Sequence, residues 1–199
     1  MIILGIDPGQ GGGIAMLEAN SVMEALTAPE LILAERMPVL QLRKKKVVDA
    51  PEAIRRIERA ANGGHEQQTL PYPIVDVAIV ESVSAMPQQG VSSTFQFGRA
   101  LGAIEAVAQL TARRVEYVTP AVWKRSMGLV GQSKRSSLDL AKLKFGPLLR
   151  ELWAVQKNDG IAEAALMCLW FLSENRQELP LPESTPDLEP EQLDLDLRF

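Results

Sequence analysis

MIILGIDPGQGGGIAML, residues 1–17, sets one aspartate, Asp7, at the end of an apolar run and follows it with a proline and four glycines within six residues. Ile2, Ile3, Leu4 and Ile6 predict a short strand, and Gly13, Ile14, Ala15, Met16 and Leu17 predict a second. The glycines between them predict a tight turn that leaves backbone close to whatever binds there. Such a stretch is either a plain hairpin or a device that opens a carboxylate to phosphate, metal or nucleic acid. The rest of the chain has to decide.

The 199 residues fit one domain, and 46% hydrophobic with 23% charged content is ordinary for a globular protein. The one cysteine, Cys168, lies in the apolar run AALMCLWFL, which excludes a disulfide framework or a cysteine-built metal site and suits a reducing cytoplasm. No signal-like N-terminal layout precedes the first strand, and no apolar run reaches the ~18–20 residues that span a bilayer. A cytoplasmic protein without a membrane partner is expected.

The net charge of −4 conceals an uneven distribution. Residues 174–199 carry eight acidic and two basic side chains, which leaves 19 basic against 17 acidic in residues 1–173. Between Arg113 and Lys157 the ratio is ten to three. A basic sector of this kind attracts phosphates or serves as a solvated helix face.

Further along, ELILAERMPVLQ predicts a third strand with the basic run RKKK in a loop after it. DAPEAIRRIERAA predicts an amphipathic helix opened by Pro51. After a turn-rich linker, VDVAIVES predicts a buried strand that ends in Glu81, and SSTFQFGRALGAIEAVAQLTA a long helix. VEYVTP, the segment AVWKRSMGL, a helix from SKRSSLDLAKLKFG and a last helix near DGIAEAALMCLWFLSEN complete the series. The order β-β-β-α-β-α-β-α-α predicts an α/β layout, a meander followed by crossovers. Residues 1–175 are expected to form the domain, and 176–199, acidic and proline-containing, a disordered tail.

Four acids stand out. Asp7 and Glu81 end two strands, at the carboxyl edge where crossover folds place ligands. Asp159 and Glu163, four apart, share one face at the start of the last helix. Carboxylates packed together repel and call for a counter-ion. Oxygen donors without cysteine or a second histidine point to Mg2+, with Mn2+ able to substitute. Two such ions would suit phosphodiester cleavage. Each acid has a plainer reading: a turn former for Asp7, a helix cap for Asp159, a surface residue for Glu163. Glu81, at the end of VAIV, is the hardest to assign to packing.

LGIDPGQGGGIA, VAIVESVSAMPQQGVSSTFQFGRALGAIEA, YVTPAVWKRSMGL with SKRSS, and NDGIAEAALM, in this order, resemble the RuvC-like Holliday junction resolvases of the RNase H-like superfamily, in particular the divergent phage and prophage type. The resemblance covers about residues 1–173. It implies a mixed five-stranded sheet flanked by helices, a homodimer, and two magnesium-dependent sites that nick opposing strands of a four-way junction symmetrically. It maps the acidic ligands to Asp7, Glu81 and the Asp159/Glu163 pair. The spacing of that pair departs from the family, whose two final acids are commonly aspartates three apart. Lys124 and Lys134 match places where resolvases carry lysines near the scissile phosphate.

Arg125 and Arg135 are candidates for gripping backbone. Gln88 and Gln89, in the loop after Glu81, and Phe95 on the helix that follows are candidates for contact with bases, although packing or dimer contact serves Phe95 equally well. Lys44, Lys45 and Lys46 add candidate phosphate contacts. In the tail, Gln192, Leu195 and Leu197 of QLDLDL resemble the short motif by which bacterial proteins dock on the DNA sliding clamp. Cleavage of flaps, forks or RNA–DNA hybrids, junction binding without catalysis, and an actin-like nucleotide-binding protein are the alternative readings. The last of these folds is much longer than this chain and does not require Glu81 with the final acidic pair.

Overall fold

A computed structural model describes residues 1–43, 45–64, 72–84, 90–146, 152 and 155–175. Gln88, Gln89, Lys44 and the tail residues Gln192, Leu195 and Leu197 lie outside the described residues, as does the side chain of Lys134.

The chain runs through β1 (Ile2–Asp7), β2 (Gly13–Glu18), α1 (Val22–Thr27), β3 (Glu30–Arg36), β4 (Val39–Leu42), β5 (Lys45–Val48), α2 (Ala50–Ala61), β6 (Val75–Glu81), α3 (Val91–Thr111), β7 (Ala112–Val118), α4 (Pro120–Ser126), α5 (Lys134–Phe145) and α6 (Asp159–Glu174). Five strands form one sheet in the order β3-β2-β1-β6-β7. The β1–β2 and β2–β3 pairs are antiparallel, and the β1–β6 and β6–β7 pairs are parallel. This is the mixed, helix-flanked RNase H-like sheet that the resemblance implies.

Side-chain alternation divides the core in two. Leu4 and Ile6 of β1 and Ala78 and Val80 of β6 pack toward α2 and α3, with Ile57 and Ile104. Ile3 of β1 and Val77 and Ile79 of β6 pack toward α6, with Ala165, Leu169 and Phe171. Asp7 and Glu81, in phase with the second set, therefore belong to the α6 face. The parallel register runs to Ile6 opposite Val80, and one further step brings Asp7 beside Glu81.

Three expectations are corrected. ELILAERMPVLQ is not one strand: it breaks at Met37 and Pro38 into β3 and β4. Lys45 and Lys46 do not lie in a loop but in β5, which pairs with β4 as a separate two-stranded sheet. The strand expected from Val115 begins at Ala112, directly after α3. The short α1 has no counterpart in the sequence reading.

Candidate active site

The β1–β2 hairpin and the first turn of α6 meet backbone to backbone. Gly12 bridges Gly160, and a Cβ built on Gly160 would stand 2.6 Å from the Gly12 Cα and 2.7 Å from Asp7 Oδ2. No larger residue fits at that crossing. Arg36 at the end of β3 fixes the approach from the other side: its Nε donates to Asn158 Oδ1 at 2.7 Å, and Asn158 Nδ2 donates to the Leu152 carbonyl at 2.7 Å. Asn158, buried, immediately precedes Asp159, so this chain of hydrogen bonds sets where α6 begins.

Four carboxylates converge there. Burial, followed by the charges of Glu81 and Glu163 and to a smaller extent Asp159, pushes the Asp7 carboxyl up to about 8, against an opposing pull from Lys124. Glu81 is 5% exposed and is also held above the usual carboxylate range, chiefly by burial, while a hydrogen bond from Trp123 opposes the rise. That bond runs from Trp123 Nε1 to Glu81 Oε1 at 2.9 Å. Glu163 Oε1 accepts from Lys124 Nζ at 2.7 Å and from Ser137 Oγ at 3.0 Å. The short helix α4 thus contacts two of the acids through adjacent residues, and Lys124 Nζ sits 5.0 Å from the centre of the Trp123 ring.

The donors are oxygen only, which suits a hard divalent cation in kind. They are not pre-assembled as a cage: among the described residues, no three His, Cys, Asp or Glu side chains stand close enough together to hold a metal ion. What the arrangement offers is a partly buried acid, Asp7, whose negative neighbours outnumber its one cationic neighbour.

Of the residues singled out in the sequence, Asp7, Glu81, Asp159, Glu163 and Lys124 are brought together. Lys134 opens α5, one turn before the Ser137 that reaches Glu163. Arg125 and Arg135 are exposed, the latter 4.0 Å from Asp139. Lys45 and Lys46 are exposed on β5, and the Lys46 carbonyl accepts from Gln10 Nε2 at 2.7 Å, which ties that hairpin to the glycine turn. Phe95 is 64% exposed on α3, so it is not a core residue. Trp123 is core and also a partner of Glu81. The available signal was chemical, because a buried indole N–H needs an acceptor. Ser137, Arg36 and Asn158 gave no sequence signal.

No protein-family profile matches the chain, and no curated protein matches it. Solved structures do, two of RuvC among them. One is "T. thermophilus RuvC in complex with Holliday junction substrate", 19% identical, with 88% of this chain and 98% of that chain covered at a TM-score of 0.44. The other is "Thermus thermophilus RuvC structure", 18% identical, with 87% and 97% covered at a TM-score of 0.49.

Proposed function

We propose that this chain is a metal-dependent, structure-specific endodeoxyribonuclease of the cytoplasm that cuts four-way DNA junctions by paired symmetric nicks. One observation carries the proposal: Asp7, Glu81 and Glu163 come from three separate elements to one face of the sheet, where nothing in folding alone rewards the gathering of like charges. The motif resemblance read from the sequence supports the choice of substrate.

In this reading Asp7, Glu81 and Glu163, with Asp159 beside them, hold Mg2+, and Mn2+ substitutes. Bound divalent cation supplies activation of the attacking water and neutralisation of charge at the leaving oxygen. The chain's own groups do the rest. Trp123 fixes the orientation of the Glu81 carboxylate. Ser137 and Lys124 position Glu163, and Lys124 presents a compact cation to a phosphate oxygen. Lys134, Lys44, Lys45, Lys46, Arg125 and Arg135 supply backbone contacts, and Gln88, Gln89 and Phe95 meet the bases at the branch.

A homodimer brings two such sites to opposing strands. The long helix α3 carries a suitable face: Val91, Phe95, Gly98, Gly102, Ala106 and Leu110, all exposed, recur at helical spacing along one side. Gln192, Leu195 and Leu197 recruit the domain (residues 1–175) to the sliding clamp through the tail (176–199).

The test is cleavage of labelled four-way junction, fork, flap and linear duplex with Mg2+ by the wild type and by Glu81→Gln. Paired nicks confined to the junction and lost in the variant are expected. Cutting of flaps or forks in preference would replace the substrate, and tight junction binding that neither cuts nor responds to Glu81→Gln would remove the catalytic reading.

A further inference from the structure

Beside the glycine turn, outside the carboxylate cluster, lies a cleft of about 350 Å3 lined by Gly9, Gln10, Ser92, Ser93, Gln96 and Phe97. It adjoins a smaller one of about 100 Å3 that shares Gln10 and Gln96 and adds Val47, Val48 and Arg99. Three elements thus enclose one space: the turn two residues past Asp7, the β5 strand and the first two turns of α3. The larger cleft alone reaches the ~300 Å3 at which small-ligand sites begin.

Two features mark it as built for a ligand. The Nε2 atom of Gln96 is buried and has no hydrogen-bond partner. A buried amide donor left unpaired costs roughly 1–3 kcal/mol, so its retention beside the cleft calls for an acceptor that rotation of the side chain into the cleft brings within reach. Independently, the N-cap of α3 is Gly90, which has no side chain to cap the first turn, and the Ser92 and Ser93 hydroxyls of that turn line the cleft.

The lining decides the ligand. Phosphate sites on DNA-binding proteins combine Lys and Arg with neutral donors, and the larger cleft contains no Lys or Arg. Amides and hydroxyls beside an aromatic ring are the groups that read and stack a base. We infer that this cleft seats one unstacked nucleobase of the strand held at the carboxylates, with the Gln96 amide reading the base edge and Phe97 as the stacking wall. Gln96 is then a specificity residue. Gln10, held by the Lys46 carbonyl, forms the floor and couples the β4–β5 hairpin to the base. The inference rests on the nuclease reading for its choice of DNA.

The experiment follows the side-chain amide of Gln96 by NMR in the 15N-labelled full chain, the signal being assigned by its loss in Gln96→Met. The probes are trinucleotides of deoxyadenosine, deoxycytidine, deoxyguanosine and thymidine, with an abasic trinucleotide as control, all without metal. At least one base series is expected to shift the Gln96 amide while the abasic chain does not. An equal shift from the abasic chain, or no shift from any, overturns the base site. Nick mapping on junctions randomised around the cut then tests the role. The wild type should favour one base at one position by roughly tenfold, and Gln96→Met should flatten that preference to about twofold. Ser93→Ala, a milder change in the same cleft, should flatten it in part; an undiminished preference in both variants overturns the assignment. Base-dependent shifts at Gln96 in a protein that cuts no junction would keep the cleft and remove the nuclease.

Discussion

Replacing Asp7 by asparagine removes one charge without changing shape, and its effect on stability has a calculable sign. The folded carboxyl stands at about 8 against an ordinary 3.8. Between those values the folded chain keeps a proton that the unfolded chain has released, so the unfolded state binds fewer protons and stability falls as pH rises. The contribution is whole below about pH 4 and lost as pH passes about 8. At about 1.36 kcal/mol per pH unit the ceiling is about 6 kcal/mol. Asp7 is only partly buried, and water at its carboxylate trims the expected difference to roughly 2–4 kcal/mol. Urea unfolding followed by tryptophan fluorescence from pH 5 to 9 in chelator, with wild type and Asp7→Asn side by side, reads it directly. The wild type should lose stability with pH by that much more than the variant. Mg2+ added at the alkaline end should restore the wild type and leave Asp7→Asn unchanged. Parallel curves in chelator would refute the argument, because they would mean that Asp7 ionises in the fold as easily as in water.

Glu81→Gln should change folding stability by no more than about 1 kcal/mol, because the amide oxygen still accepts from Trp123 Nε1; chemical denaturation checks this beside the cleavage assay. Gly160→Ala forces a Cβ to within 2.6 Å of the Gly12 Cα, which should cost at least about 2 kcal/mol and lower the melting temperature by several degrees. Lys124→Met leaves Glu163 without its cation and should destabilise the metal-free protein by about 1–3 kcal/mol in thermal melts, while Lys124→Arg retains stability and loses nicking rate. Deletion of residues 192–199 should abolish retention on immobilised sliding clamp and leave junction cutting intact.

The acidic site is legible in the sequence because two simple periods place it. Strand alternation carries Asp7 and Glu81 to one face, and helical spacing adds Asp159 and Glu163. The β4–β5 hairpin is not legible for the converse reason. Each strand is four residues long, β4 is exposed throughout, and pairing with its partner holds it without a buried stripe to announce it. Trp123 and Glu81 are 42 residues apart, and no local pattern links them. Gln96 looks like any polar residue on a helix until packing shows that its buried Nε2 has no partner.

The glycines around Asp7 divide their roles more finely than a phosphate-cradling turn would require. Cβ atoms at Gly9 and Gly11 would meet open space, and Gly9 needs its glycine for φ +125. Gly12 and Gly13 instead lie where a Cβ would strike the Asp7 carbonyl at 2.0 Å and the Ile161 Cα at 2.6 Å. Gly12 is small so that the turn can fold back on the Asp7 backbone, and Gly13 so that the hairpin can press against α6, which places Asp7 among Glu81, Asp159 and Glu163. The close approach has an electrostatic cost, since it brings like charges together in a partly dry site. The folded chain offsets it by protonation of Asp7 and by Lys124 on Glu163. Backbone packing of this kind, with glycine at both contact surfaces and an unfavourable charge cluster as its result, is what a chain keeps when the cluster is the purpose of the fold.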